Sequence, residues 1–256
     1  VQWAWGLEGR VRGRAGAAVL AGGAAINSAR AVRDQGIRAA AHIFEADAGD
    51  IDAADGRIFV KGTDRVLSFR ELARAVYSEM GRLPRELRES IELEATRMYD
   101  PYFGTTTPAS HLAVVEVDPE TYHVSVQHYV VAEDCGRVIN PMIVDGQIHG
   151  GVAQGIGAAL MEEVVHDGVG QIQTASLMDY VVPTAVEIPN MVVHHLETVL
   201  PDNPGGFRGM GEGGTIGAPA AIANAITDAL APMSIDINEL PITPERLFRL
   251  VIAKQE

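Results

Sequence analysis

The sequence predicts an α+β fold with mixed or antiparallel sheets packed with helices. Apolar residues recur at near-helical spacing between residues 24 and 46. Two β-branched runs follow between residues 111 and 136, joined by the turn signal Asp-Pro-Glu at 118–120. Strand and helix patterns do not alternate regularly, which argues against a doubly wound parallel fold.

The chain is predicted to begin irregularly and then to enter a helix. Residues 1–23 show no clear period, so they are predicted as loop or irregular edge structure. A helix is predicted from Ala24 to about Ala46. Gly36 weakens its middle by about 1 kcal/mol relative to alanine, which leaves a break there open.

A hairpin and a second helix come next. Asp55-Gly56 is a strong turn signal, and the residues that follow it, 57–61, form a short predicted strand. Ser68 is followed three residues later by Glu71, which predicts a capping box at the start of a helix over 69–80.

The remaining elements are predicted from the same kinds of signal. They are a surface helix or mobile excursion over 81–96, a helix over 142–165, a second β region over 173–180 and 191–199, a helix over 219–231, and a short helix after Thr243-Pro244. A chain of 256 residues forms one large domain or two smaller ones, with a possible subdivision into 1–100 and 101–256.

Composition excludes several classes of protein. The net charge of −14 argues against a nucleic-acid partner, and no apolar run reaches the length of a membrane span. The first ten residues lack the basic, apolar and cleavage regions of a signal peptide. Cys135 is the single cysteine, which suits a reducing compartment. We therefore expect a cytoplasmic location.

The least ordinary stretch is GGFRGMGEGGTIG at 205–217. Seven of its thirteen residues are glycine, and Glu212 stands between Gly211 and Gly213. We call it the glycine loop. Such a backbone reaches φ > 0 easily and lets a ligand approach closely. Three interpretations are a nucleotide fingerprint, tight packing with a carboxylate near a helix N-terminus, and a catalytic site with Glu212 as general base.

The nucleotide interpretation fails on context. Gly209, Gly211 and Gly214 match GxGxxG, and Asp228 follows at a suitable distance. However, no strand directly precedes the loop, and Asp228 lies within a helical pattern. A phosphate-binding Walker loop is excluded because no Gly-Lys-Ser/Thr follows. Packing and catalysis stay open on the residues alone.

The predicted helix over 142–165 is also rich in glycine. Its glycines are costly for a helix without close neighbours: Gly146, Gly150, Gly151, Gly155 and Gly157. Close packing explains some of them. Alternatively, Gln147 and Gln154 present amide groups to a polar ligand on a glycine-lined surface.

Other candidate sites are weaker. Cys135 has no local histidine to activate it and is predicted to be a buried thiol. His194 and His195 are adjacent in a predicted strand, so their side chains point to opposite faces and cannot easily share a metal ion.

Three long motifs occur together: EDCGRVINP at 133–141, GQIHGGVAQGIGAALMEE at 146–163, and the glycine loop with its following helix at 205–230. In this order and at these separations they resemble the C-terminal part of the molybdopterin-binding large subunit of the molybdenum hydroxylases. This family includes xanthine dehydrogenase, aldehyde oxidase and aerobic carbon monoxide dehydrogenase-like proteins. Similar segments upstream of these motifs extend the resemblance over most of residues 18–256.

The resemblance implies roles for particular residues. Glu212, in the GxGEGG motif, would stand beside molybdenum as the general base for hydroxylation of an electrophilic carbon with water-derived oxygen. The glutamine of GGxxQGxG contacts the pterin in the family, which implies the same for Gln154. The glycines implied to border the cofactor are Gly151, Gly155, Gly211, Gly213 and Gly214.

The resemblance also implies cofactors and partners. The cofactor would be the molybdenum cofactor as molybdopterin cytosine dinucleotide, with FAD and [2Fe-2S] clusters on partner subunits or domains. Residues 1–256 would be the C-terminal portion of the molybdopterin-binding domain. Activity would need the N-terminal portion and the iron–sulfur and FAD subunits. The alternative from a different class is a binding or scaffold domain without catalysis.

Overall fold

The computed structural model describes residues 16–79, 81–101 and 106–255. They form two compact units. The small unit comprises the described residues of 20–102, and the large unit comprises the described residues of 1–19 and 103–256. The irregular structure predicted for residues 1–15 lies outside the described residues.

Helix α1 (Gly16–Phe44) begins before the predicted Ala24 and continues through Gly36 without a break. The expectation of irregular chain over 16–23 is therefore wrong: the three glycines there disfavour a helix, but the alanines and Leu20 between them favour one. A Cβ on Gly36 would lie 3.2 Å from side-chain carbons of both Ile58 and Leu72. This glycine allows close packing within the small unit.

The small unit contains the predicted hairpin. Strands β1 (Ile51–Ala54), β2 (Arg57–Val60) and β3 (Val66–Ser68) form an antiparallel sheet in that order. Asp55 and Gly56 have φ of 50° and 72°, which the tight turn between β1 and β2 requires. The predicted turn is confirmed.

Helix α2 (Phe69–Tyr77) begins with the predicted capping box. The Ser68 side chain accepts from the Glu71 amide, and the Glu71 carboxylate accepts from the Ser68 amide at 2.8 Å. The following charged segment contains a short helix, α3 (Arg85–Glu89), with an exposed ion pair along it.

The large unit is built on a mixed three-stranded sheet. Its strands are β4 (Ala109–Val117), β5 (Val124–Glu133) and β6 (Met191–His195). β4 pairs antiparallel with β5, and β5 pairs parallel with β6. Together with the helices, this confirms the predicted α+β class.

Four helices complete the large unit: α4 (Pro141–Leu160), α5 (Gly213–Ile216), α6 (Ala218–Ala229) and α7 (Pro244–Gln255). α4 starts where predicted, since Asn140 accepts from the Ile143 amide and proline occupies the first turn. It ends at Leu160, five residues before the predicted Val165. The Glu162 amide donates to the Gly157 carbonyl at 2.8 Å, and this hydrogen bond ends the helix.

The predicted strand over 173–180 is wrong. This stretch contains a turn in which the Asp179 and Tyr180 amides donate to the Ser176 carbonyl at 3.0 and 2.8 Å. The Ser176 hydroxyl also donates to Asp179, so local side-chain bonding competes with strand pairing. The strand predicted over 191–199 is present but ends at His195.

The core of the large unit lies between the sheet and helices α4 and α6. Val131 from β5, Ile148 and Ile156 from α4, and Ile222 from α6 are all fully buried there. Burial of such side chains stabilises a fold by about 1.5–3 kcal/mol each. This packing brings the middle of α4 against the glycine loop.

Candidate functional site

The residues that follow β5 form hydrogen bonds to the first part of the glycine loop. The Arg208 amide donates to the Cys135 carbonyl at 2.6 Å, and the Arg137 amide donates to the Gly206 carbonyl at 2.9 Å. Gly136 has φ of 66°, and a Cβ there would lie 2.3 Å from the Gly206 oxygen. The EDCG and GGFR segments therefore cross at a distance that only glycine permits.

The start of the sheet holds the loop at two further points. The Thr107 hydroxyl donates to the Gly209 carbonyl at 2.6 Å. His111, in β4, lies with Nε2 at 3.2 Å from the Gly213 carbonyl oxygen and Nδ1 at 3.0 Å from the Tyr129 hydroxyl. These two carbonyls belong to residues on either side of Glu212.

The protonation of His111 follows from its surroundings. Burial lowers its pKa, and the hydrogen bond to Gly213 raises it by less, so the ring is neutral near pH 7. Burial raises the pKa of Tyr129, which keeps its hydroxyl protonated. Because a carbonyl only accepts, we assign the proton to Nε2 and let the tyrosine donate to Nδ1.

Helix α4 contacts the loop through glycine on both sides. A Cβ on Gly151 would lie 2.8 Å from the Thr215 nitrogen and 2.9 Å from Gly214 Cα. A Cβ on Gly214 would lie 2.6 Å from the Ile148 oxygen. The Thr215 hydroxyl bridges the contact, at 3.2 Å from the Gly151 oxygen and 3.4 Å from Gln154 Oε1.

The glycines of α4 fall into two sets. Gly151, Gly155 and Gly157 are buried, and a Cβ on Gly155 would lie 2.4 Å from the Ala218 Cβ. Gly146 and Gly150 are exposed, and a Cβ on either would meet nothing within 4 Å. Packing therefore explains the first set and gives no reason for the second.

The exposed glycines line one face of the helix. Gly146, Gly150 and Gln154 follow each other at intervals of four residues, so they share that face. Gln147 and Gln154 are both exposed. We call Gly146, Gln147, Gly150 and Gln154 the open face of α4. It offers bare backbone and amide groups to a flat polar ligand.

Glu212 occupies the N-cap position of α5. Its carbonyl accepts from the Thr215 and Ile216 amides at 3.1 and 3.2 Å, which fixes its backbone. Its side chain is exposed and makes no capping bond. The carboxylate is thus free to act on a ligand. Gly211 and Gly213, beside it, are partly buried.

The fold thus brings together most of the residues singled out from the sequence. Gln154 meets the residue three places after Glu212, and Gly151 meets Gly214. Sequence reasoning missed Thr107, His111 and Tyr129. No local signal marks them, because Thr107 and His111 each contact the loop across 102 residues.

His195 and Cys135, two further candidates from the sequence, have structural partners. His195 lies between two carboxylates, with Nδ1 at 2.8 Å from Glu133 and Nε2 at 2.8 Å from Asp145. Burial raises the pKa of Cys135 to about 11, with the Glu133 charge adding to the effect. The predicted buried thiol is confirmed. Across 16–79, 81–101 and 106–255, no group of three metal-binding side chains could hold an ion.

A surface cavity of about 570 Å³ lies beside α7, away from the residues discussed so far. Two arginines line it, and both already pair with glutamates, Arg246 with Glu163 and Arg249 with Glu245. None of the residues of the glycine loop or of α4 lines this cavity. It is therefore not the site that the glycine loop forms.

Comparison with known proteins assigns the family. Residues 15–189 match the family model of the molybdopterin cofactor-binding domain. The chain is 39% identical over 234 residues to the nicotine 6-hydroxylase large subunit of Paenarthrobacter nicotinovorans, covering 91% of this chain and 28% of that protein. It is 33% identical over 230 residues to the carbon monoxide dehydrogenase large chain of Hydrogenophaga pseudoflava, covering 90% and 28%.

Solved structures agree. Quinoline 2-oxidoreductase from Pseudomonas putida 86 matches with a TM-score of 0.80 and 42% identity over 87% of this chain and 28% of that one. The Cu,Mo-containing CO dehydrogenase matches with a TM-score of 0.81 and 30% identity over 93% and 30%. The chain belongs to the molybdenum hydroxylase family, as part of its molybdopterin cofactor-binding domain. The resemblance found in the three motifs is confirmed.

The chain spans less than a third of the length of the curated relatives that it matches. Within its described part, no helix is long and apolar enough to cross a membrane.

Proposed function

We propose that residues 1–256 form the C-terminal portion of the molybdopterin-binding region of a larger molybdenum hydroxylase, and that Glu212 is its general base. One observation carries the proposal. An exposed carboxylate without a capping bond stands on a loop whose backbone is held from three sides. A fixed backbone with an uncommitted carboxylate is what proton abstraction needs.

The residues present fit a pterin. Gly146 and Gly150 have no packing role in the described structure, and each costs helix stability of about 1 kcal/mol relative to alanine. A ligand lying on the open face of α4 would explain both. Gln154 would donate its amide to the pterin. Gly151, Gly155 and Gly214 would serve the site by letting α4 approach the loop and α6.

The roles of the chain's own residues follow. When bound, the molybdenum cofactor supplies the two-electron oxidation chemistry. Glu212 accepts the proton released as water-derived oxygen is transferred to an electrophilic carbon of the substrate. Gly211 and Gly213 leave space on both sides of the carboxylate, because neither has a side chain.

N-heterocycles and aldehydes are the proposed substrate classes, and the names of two relatives favour N-heterocycles. Two of the matched proteins are named for nicotine and quinoline, which both contain an N-heteroaromatic ring, and they are 39% and 42% identical to this chain. The carbon monoxide dehydrogenases are 30–33% identical. An electron-poor ring carbon is the substrate class that we propose to test first.

Partners are expected to complete the enzyme. The loop between α4 and β6 exposes large apolar side chains, with Val169, Met178 and Val186 each at least 89% exposed. Exposed apolar side chains mark an interaction site where they form one continuous patch. We propose that the N-terminal molybdopterin-binding portion covers this loop. Partners with FAD and [2Fe-2S] clusters would carry electrons away, and the pterin would be the cytosine dinucleotide.

The test is Glu212→Gln in the assembled enzyme. We expect turnover to fall by about 10²- to 10⁴-fold, the range for loss of a general base, with molybdenum content unchanged. Glu197→Gln is the matched control, since Glu197 is also exposed but lies just after β6. Near-normal turnover of Glu212→Gln would overturn the assignment. An assembled native complex free of molybdenum would instead favour a scaffold domain.

A further inference from the structure

We propose that His111 is a positioning residue for Glu212: through its hydrogen bond to Gly213 it sets the direction in which the catalytic carboxylate points. This inference rests on the proposed function of Glu212. It concerns a residue in a different element, 101 positions earlier in the chain, that no motif includes.

The first observation is the hydrogen-bonded chain Tyr129–His111–Gly213. Tyr129 is fully buried, and its ring meets the His111 ring edge-on, with centroids 5.9 Å apart. Because the Gly213 carbonyl can only accept, Nε2 carries the proton and donates to it, and Nδ1 accepts from the Tyr129 hydroxyl. The half-buried His111 ring thus orients the peptide group that joins Gly213 and Gly214, one residue beyond Glu212.

The second observation is the contact with Gly217. A Cβ on Gly217 would lie 2.5 Å from His111 Cδ2 and 2.9 Å from Nε2. The ring therefore occupies the space beside the residue that follows α5, while it bonds the residue that begins α5. One imidazole contacts both ends of this four-residue helix.

The loop needs such an external support. A helix of four residues lies far below the length at which helices are stable by themselves. Glycine also loses more conformational freedom on folding than any other residue. The few local hydrogen bonds at Glu212 are therefore not sufficient by themselves to hold it in one orientation. Thr107, just before β4, and His111, within β4, add the constraint.

The consequence for catalysis is a matter of geometry. Without the donor at Nε2, the Gly213–Gly214 peptide group can rotate, and the backbone and carboxylate of Glu212 move with it. A displacement of about 1 Å at a reacting group reduces turnover by roughly 100-fold. Substrate binding depends on other groups, so KM should change little.

The experiment compares His111→Phe, which removes both ring nitrogens, with His111→Gln, whose amide nitrogen can still donate near the Nε2 position. Both are made in the assembled enzyme. His111→Phe should lower kcat by about 10- to 100-fold with KM and molybdenum content nearly unchanged. His111→Gln should recover most of this loss. His128→Phe is the matched control, because His128 is exposed on the other face of the sheet.

A second readout does not depend on catalysis. Hydrogen exchange at the Thr215 and Ile216 amides, which bond to the Glu212 carbonyl, should become faster in His111→Phe and not in His128→Phe. If His111→Phe does not assemble, Tyr129→Phe takes its place, since it frees Nδ1 and loosens the same ring.

The outcomes separate the two proposals. Wild-type kcat in His111→Phe, or equal damage in His111→Gln and His111→Phe, overturns the positioning role. Faster exchange with unchanged kcat reduces His111 to a structural support and also overturns it. If Glu212→Gln turns over normally, the proposed base is wrong, whatever His111→Phe does to hydrogen exchange.

Discussion

Gly151 and Gly214 meet where helix α4 touches the glycine loop, with Gly214 Cα only 2.9 Å from the position of a Cβ on Gly151. Neither residue tolerates a side chain without displacing backbone. The glycine next to Gly151 in the helix, Gly150, faces open space. Two adjacent glycines with the same intrinsic propensity thus have opposite surroundings.

This difference predicts opposite effects of alanine at the two positions. Gly151→Ala should lower the free energy of unfolding by about 1–3 kcal/mol, because the methyl group overpacks against the loop backbone. Gly150→Ala should raise it by up to about 1 kcal/mol, since alanine is the better helix former. Urea unfolding of both variants measures the difference. Equal destabilisation would contradict the contact between α4 and the loop.

Gln154→Ala should weaken retention of the molybdenum cofactor in the assembled enzyme. Loss of one hydrogen bond of about 0.5–1.5 kcal/mol corresponds to an affinity loss of up to about tenfold. Metal analysis after extended dialysis is the measurement. Gln127→Ala is the control, since that amide bonds to Glu116 on the exposed side of the sheet. Full retention in Gln154→Ala would argue against a pterin on the open face of α4.

His195→Gln should remove a pH-dependent part of the stability. Burial by itself would lower the pKa of His195, but hydrogen bonds to Glu133 and Asp145 outweigh it and raise the pKa. A raised pKa means that protonated His195 stabilises the fold fully below about pH 6.5, the unfolded value. This contribution is lost as the pH rises through the higher folded pKa.

The stability difference between wild type and His195→Gln should therefore be largest at acidic pH and shrink at alkaline pH. We expect about 1.5–3 kcal/mol at pH 6, the value for hydrogen bonds to charged groups, because Glu133 is only 1% exposed. Denaturant unfolding between pH 5.5 and 9 tests this. His194→Gln, at the exposed neighbouring position, is the matched control. A difference that grows with pH would show that the sign is wrong.

Cys135 should resist alkylation in the folded protein. Burial raises its pKa to about 11, so the reactive thiolate is scarce at pH 8. Iodoacetamide labelling followed by mass spectrometry should show slow modification in buffer and complete modification in urea. Because it is the single cysteine, the readout needs no mapping. Rapid labelling of the folded chain would contradict its burial.

Local chemistry made part of the fold predictable. The Asp55-Gly56 turn and the Ser68–Glu71 capping box each depend on residues within one turn of the chain. Local chemistry also explains why the strand predicted over 173–180 is wrong. Hydrogen bonds between Ser176 and Asp179, three residues apart, form a turn there instead of a strand.

The candidate site was predictable only where long motifs carry it. Glu212 and Gln154 stand in segments distinctive enough to be singled out from the sequence, and their roles stay predictions. His111 stands in an ordinary β run, and its partner Gly213 is 102 residues away. No spacing rule links residues that far apart, because strand register and helix packing decide whether they meet.

The sequence by itself determined the family, the local turns and caps, and the segment that holds the carboxylate. Only the tertiary structure decided which glycines are packing contacts and which are open. A glycine looks the same in the sequence whether a backbone or empty space lies beside it. That neighbour is set by how α4, β4 and the glycine loop pack together, and packing is a property of the whole core.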